Sequence, residues 1–156
     1  MSSYWLMKSE PEAFGIDDLA AAPGATAMWD GVRNYQARNL IRDHMRPGDR
    51  AFLYHSNTRP PGVVGIVEVV SEPYPDPTAF DPDEAHYDPK SDPQAPRWFC
   101  VDVRLRERLP RQVTLATLRA CPALEGSPLL RRNNRLSIVP LTGAQWEAVL
   151  ALAEGR

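Results

Sequence analysis

Between Phe99 and Arg106 two kinds of side chain alternate without a break: Phe99, Val101, Val103 and Leu105 against Cys100, Asp102, Arg104 and Arg106. A period of two is the geometry of a β-strand, whose successive side chains face opposite ways. This stretch therefore demands a sheet with one face buried and one face wet or partly covered. A chain of 156 residues, 43% of them hydrophobic, has enough material to build a core behind such a sheet.

The remaining elements are shorter. Tyr4–Met7 reads as a strand that stops at Lys8-Ser9-Glu10-Pro11, where the proline removes a ladder donor. Arg50–His55 and Val63–Val70 read as two more strands, and Leu136–Val139 as a late one closed by Pro140. Asp17 is placed to cap a short helix ending at Pro23-Gly24. A second helix opens at Asn34, with Ala37, Leu40, Ile41, His44 and Met45 on one face, and ends at Pro47-Gly48. Thr114 caps a short helix carrying Leu115 and Leu118, and Ser127-Pro128 starts a brief turn. Thr142 with Gln145 forms a capping box for a last helix whose Trp146, Val149, Leu150 and Ala153 share a face. Five or six short strands with four helices, and helices that do not follow every strand, predict an α+β domain. Its expected form is a curled mixed sheet over residues 1–156. From Ser71 to Pro96 the chain has seven prolines and several acids, and is expected to be an extended surface excursion.

Net charge is −2, which excludes a protein coated in cations. The charge is unevenly spread: residues 57–96 hold two basic and eight acidic groups, residues 97–156 ten basic and five acidic. All basic residues but Lys8 and Lys90 are arginines, the side chain suited to planar recognition of phosphates and base edges. Codon bias toward arginine, alanine and proline also accounts for the excess. No apolar run approaches a membrane span, and Met1–Pro11 lacks the pattern of a secretory leader, so a cytoplasmic setting is expected. Cys100 and Cys121 have no partners at zinc spacing and read as free thiols. No phosphate loop or dinucleotide fingerprint occurs, and the glycines of Pro61-Gly62-Val63-Val64-Gly65 suit a bulge. The acids Asp81, Asp83, Glu84, Asp88 and Asp92 lack calcium-loop spacing and read as a solvated loop. Neither a metal nor a cofactor is expected.

One segment fits none of these roles. Trp29-Asp30-Gly31-Val32-Arg33-Asn34-Tyr35-Gln36-Ala37-Arg38-Asn39 concentrates flat, hydrogen-bonding side chains, which suits a flat, hydrogen-bonding ligand. Together with Tyr4–Pro11, Gly48-Asp49, Tyr54-His55-Ser56, Tyr87–Ser91, Pro96-Arg97-Trp98 and Arg135-Leu136-Ser137, it resembles the EVE domain family. That family is a branch of the PUA-like fold related to YTH domains. The resemblance runs along essentially the whole chain. It implies a small barrel-like sheet flanked by helices, and a non-catalytic role in reading a modified base. The expected base is a methylated or hydroxymethylated cytosine, in DNA in preference to RNA. A methylated adenine or another modified base in RNA is the alternative, since YTH relatives hold methylated adenine in an aromatic cage.

A base swung out of its strand needs an apolar platform and fixed polar groups at its edge. Trp29 and Trp98 are the expected platforms, with core packing as the competing role. Ser9, Asn34 and Gln36 are expected at the ring edge, and His55, Ser56 and Ser137 at the rim. Tyr35 is expected as a pocket wall or as an anchor of helix to sheet. Lys8, Arg33, Arg38, Arg131, Arg132 and Arg135 are expected to meet the nucleic-acid backbone. Two other function classes stay open: an enzyme acting on modified nucleosides through His55, and a protein-interaction module using the Ser71–Pro96 loop. His55-Ser56 makes a poor base and nucleophile pair, because neighbours on a strand face opposite ways.

Overall fold

The computed structural model describes residues 3–131 and 136–155. Its framework is a mixed sheet of seven strands. β1 (Tyr4–Ser9) lies between β3 (Arg50–His55), to which it is parallel, and β7 (Ile138–Leu141), to which it is antiparallel. β4 (Gly62–Val69) pairs with β3 and with β6 (Phe99–Thr114), and β6 also pairs with β2 (Thr26–Trp29) and with the two-residue β5 (Tyr74–Pro75). The spatial order is β2-β6-β4-β3-β1-β7.

The helices are α1 (Pro11–Phe14), α2 (Ile16–Ala21), α3 (Tyr35–Asp43), α4 (Leu115–Arg119) and α5 (Gly143–Ala153). α3 touches both β6, near one end of the sheet order, and β7, at the other, so the curled sheet is bridged by this helix. One hydrophobic cluster runs through the interior, with Phe52, Leu6, Met7 and Ile41 fully enclosed. Trp146 of α5 stacks on Phe52 and on Tyr4, which fastens the last helix over β1 and β3. Buried Asp49 accepts from the Ser3 amide, the Trp5 indole and the Arg46 amide, tying the start of β1 to the turn before β3.

Several expectations change. The alternating strand runs through to Thr114, twice the predicted length, although Pro110 lies inside it. The ladder with β4 shifts register between Arg108 and Val113, and Pro110 falls in that gap, where no donor is required. β2 is unexpected: Thr-Ala-Met-Trp is too short to show a period, and the partner β6 supplies its ladder. α2 begins one residue before Asp17, with the Gly15 amide bonded to Asp18 at 2.8 Å, while Asp17 stands exposed beside Arg108. His44 points to solvent, outside the buried face formed by Ala37 and Ile41. β7 starts at Ile138 and includes Pro140, whose missing donor faces outward. The expected caps Asn34, Thr114, Ser127 and Thr142 are all in place.

Residues 71–98 are more than an excursion. Tyr74–Pro75 joins the sheet, and Asp76, Thr78 and Ala79 are buried. The exposed part is built from local turns in which Asp81, Asp88 and Asp92 each accept from the amide two residues on. This segment forms a strap that returns across the start of α3.

Candidate functional site

The parallel pairing of β1 with β3 brings their C-terminal ends together, placing Ser9 opposite His55. Ser56 continues this contact, its amide donating to the Ser9 carbonyl at 2.8 Å and its hydroxyl at 3.3 Å. The Lys8 amide donates to the Ser137 carbonyl at 2.9 Å, so the approach to β7 joins the same cluster. The Lys8 ammonium lies 5.7 Å from the centre of the Tyr54 ring, and burial pulls its pKa down. Five sequence-expected residues, Lys8, Ser9, His55, Ser56 and Ser137, therefore meet at one end of the sheet.

His55 has a structural duty there. Its Nε2 accepts the Ile16 amide at 3.1 Å, which puts the ring proton on Nδ1 and anchors the start of α2 to the end of β3. Burial lowers the imidazole pKa, and the nearby Asp17 raises it only in part. A ring whose acceptor nitrogen is occupied has no free base at Nε2. Ser56 turns its hydroxyl to the Ser9 carbonyl, so the two neighbours form no nucleophile and base pair.

Ser9 is the exception in this cluster. Its hydroxyl is sealed from solvent, and it is the one buried side-chain polar atom among the described residues that has no hydrogen-bond partner. Native interiors satisfy nearly all such atoms, because leaving one unmade costs about 1–3 kcal/mol.

A second cluster forms around the tryptophan-rich segment. Asp76, fully buried in the strap, receives the Gly31 amide at 2.8 Å, the Arg33 guanidinium at 3.0 Å, the Thr78 amide at 2.8 Å and the Thr78 hydroxyl at 2.6 Å. Burial alone raises its pKa, but these donors outweigh burial and keep the carboxyl below the ordinary range. Arg33 also donates to the carbonyls of Val32 and His86 and to the Thr78 hydroxyl. All five of its N–H groups are engaged inside the protein. Arg33 was expected at the nucleic-acid backbone; the structure makes it the clasp between segment and strap instead.

The aromatic groups also differ from expectation. Trp98 is only 6% exposed, donates its indole N–H to Asp88 at 2.7 Å, and stacks on Tyr35 with ring centroids 4.8 Å apart. Arg33 lies over Trp98 and Arg38 over Tyr35, at 5.3 and 4.9 Å from the ring centres. Trp98 was expected as an open base platform, but its ring is already taken up by this stack. Tyr35, 52% exposed, is the ring of this stack that reaches solvent. Trp29 is 6% exposed and belongs to the core cluster, so at most an edge of its indole faces outward.

Asn34 caps α3 through the Ala37 amide at 2.9 Å, and Gln36 lies exposed on the first turn. Arg38 donates to the Arg97 carbonyl at 2.7 Å, holding the strap's far end. Arg131 is exposed on the surface. Arg132 and Arg135 lie outside the described residues. α2, anchored to His55, packs on β2 and so connects the strand-end cluster to the element that ends in Trp29.

Sequence reasoning missed the strap's contribution: Asp76, Asp88 and the main chain of His86. The signal was Asp76-Pro77-Thr78, an acid two residues before a hydroxyl, which is a turn-capping pattern. Gly31, at φ 78°, adopts a left-handed backbone that favours glycine, and its Cα faces the His86 imidazole of the strap.

Residues 3–152 match the model of the EVE domain. Human thymocyte nuclear protein 1 is 45% identical over 170 residues, covering 99% of this chain and 75% of that protein. A crystal structure of the human THYN1 protein in complex with 5-methylcytosine-containing DNA is 45% identical, with a TM-score of 0.89 and 98% of each chain covered. A crystal structure of a Pseudomonas syringae protein is 45% identical with a TM-score of 0.92, covering 97% of this chain and 99% of that one.

Proposed function

The chain belongs to the EVE domain family, and from that premise we propose that it reads DNA carrying a modified cytosine, without catalysing a reaction. The observation that carries the proposal is the human relative bound to 5-methylcytosine-containing DNA, alike in sequence and backbone over nearly the whole chain. The Ser9 hydroxyl, a buried polar group with no protein partner at the strand ends, supports it. The base is taken out of the stack and held near Ser9, Ser56 and Trp29, with the α3 start and the exposed Tyr35 beside the strand. Lys8, Arg38, Arg131, Arg132 and Arg135 remain the cations proposed for the backbone. The engaged Nε2 of His55 speaks for binding over base catalysis. The proposed setting is cytoplasmic, in keeping with the unpaired thiols of Cys100 and Cys121.

The test is a binding series of otherwise identical DNA and RNA oligonucleotides carrying cytosine, 5-methylcytosine or 5-hydroxymethylcytosine at one position. A single methyl in an apolar pocket gives roughly 10–200-fold preference. Preference for a modified cytosine in DNA, with the oligonucleotide recovered unchanged in mass, is the expected result. Equal affinity for all of them, or none, sinks the proposal.

A further inference from the structure

Among the described residues, six acidic side chains belong to buried or half-buried residues: Asp30, Asp49, Glu68, Asp76, Asp88 and Asp102. Five have donors. Asp49 and Asp76 are saturated as described, Asp88 takes the Trp98 indole, Asp102 takes the Tyr74 hydroxyl at 2.6 Å, and Glu68 faces Arg106 at 3.4 Å. Asp30 alone takes no hydrogen bond or ion pair from another residue. Burial and the neighbouring negative charge of Asp76 both disfavour its ionised form; its own main-chain amide, His86 and Arg33 offset them only in part, and Arg33 has no donor left for it. Asp30 directly follows Trp29, where β2 hands over to the loop before α3. The protein thus holds one half-buried carboxylate, beside Trp29 of the proposed pocket, that no other residue's donor reaches.

A reader of 5-methylcytosine has to reject thymine, which carries the same methyl group on the same ring carbon. The methyl contact cannot separate them. The difference lies on the pairing edge: at position 4, an amino donor in cytosine and a carbonyl acceptor in thymine, and at the adjacent N3, an acceptor in cytosine and a donor in thymine. An aspartate accepts from the cytosine amino group and meets the thymine carbonyl acceptor to acceptor. We infer that Asp30 reads position 4 of the flipped pyrimidine, accepting the amino group of a 5-substituted cytosine and refusing the carbonyl of thymine. This rests on the base-reader function proposed above.

The experiment places cytosine, 5-methylcytosine, thymine or 5-methylpyrimidin-2-one opposite an abasic site in one duplex, so that extruding the base breaks no pair. Affinities are measured by fluorescence anisotropy for the wild type, Asp30→Asn and Asp30→Ser, each checked for an unchanged unfolding midpoint. The wild type is expected to prefer 5-methylcytosine to thymine by about tenfold or more. Asp30→Asn, whose amide can turn either end to the base, should narrow that gap to about threefold, mainly by gaining thymine. Both variants should keep the preference for 5-methylcytosine over cytosine. Removing the 4-substituent should weaken binding to the wild type and not to Asp30→Ser. Variants that retain the wild-type gap, or a wild type that takes thymine as readily as 5-methylcytosine, overturn the inference. A wild type that fails to separate 5-methylcytosine from cytosine overturns the base-reader function itself, and with it the premise for Asp30.

Discussion

The strand-end cluster and the strap cluster are both rich in polar groups, yet they spend them differently. Around Asp76, four donors converge on one carboxylate and Arg33 uses every N–H it has. At the ends of β1 and β3, main-chain groups are paired but the Ser9 hydroxyl is left alone. A saturated network fixes geometry and has nothing left to offer a ligand; an unsaturated buried atom is unstable by itself and is relieved by one. The strap therefore acts as the frame that holds the Trp29–Asn34 segment in shape. The strand ends, with Asp30 beside Trp29, supply the groups that are still free to recognise something.

The largest test of that contrast is Asp76→Ala. It leaves the Gly31, Thr78 and Arg33 donors without their acceptor, and denaturant unfolding should show a loss of about 3–5 kcal/mol. A loss below about 1 kcal/mol would mean the strap is not the frame. Ser9→Ala should behave in the opposite way. Deleting a hydroxyl that bonds to nothing leaves stability within about 1 kcal/mol, or improves it, while affinity for modified DNA falls. If the alanine variant is as unstable as Asp76→Ala and binds normally, the two regions do not differ as described.

The smallest effect concerns His55. Its folded pKa lies below the unfolded value of about 6.5. Below that pH the unfolded chain binds more protons, so stability is present above about 6.5 and is lost as pH falls toward the folded pKa. His55→Gln keeps an acceptor for the Ile16 amide and should flatten this part of the stability profile. An unchanged slope below about pH 6.5 in the variant would assign the titration elsewhere.

Part of this architecture was legible in advance. Arg50–His55 is found as read, because a short apolar and aromatic run bounded by turns leaves few alternatives. The caps at Asn34 and Thr142 were readable because a cap is a local bond between residues three apart. The same locality explains the failures. β2 exists only because β6 lies beside it, and His44 departs from the buried face because the helix ends before it. The platform role expected for Trp98 ignored Tyr35, Arg33 and Asp88, which are distant in sequence or belong to another element.

By itself, then, the sequence determined the family, the mixed α+β class and which short segments carry planar polar groups, since composition, period and local spacing are properties of the chain alone. Only the tertiary structure decided which of those groups are already spent. Arg33 found its partners in a strap that arrives more than forty residues later and Trp98 stacks on a ring from α3, while the Ser9 hydroxyl found none and Asp30 none from another residue. Hydrogen-bond capacity is written in a residue's type, but whether it is still available depends on everything that folds around it.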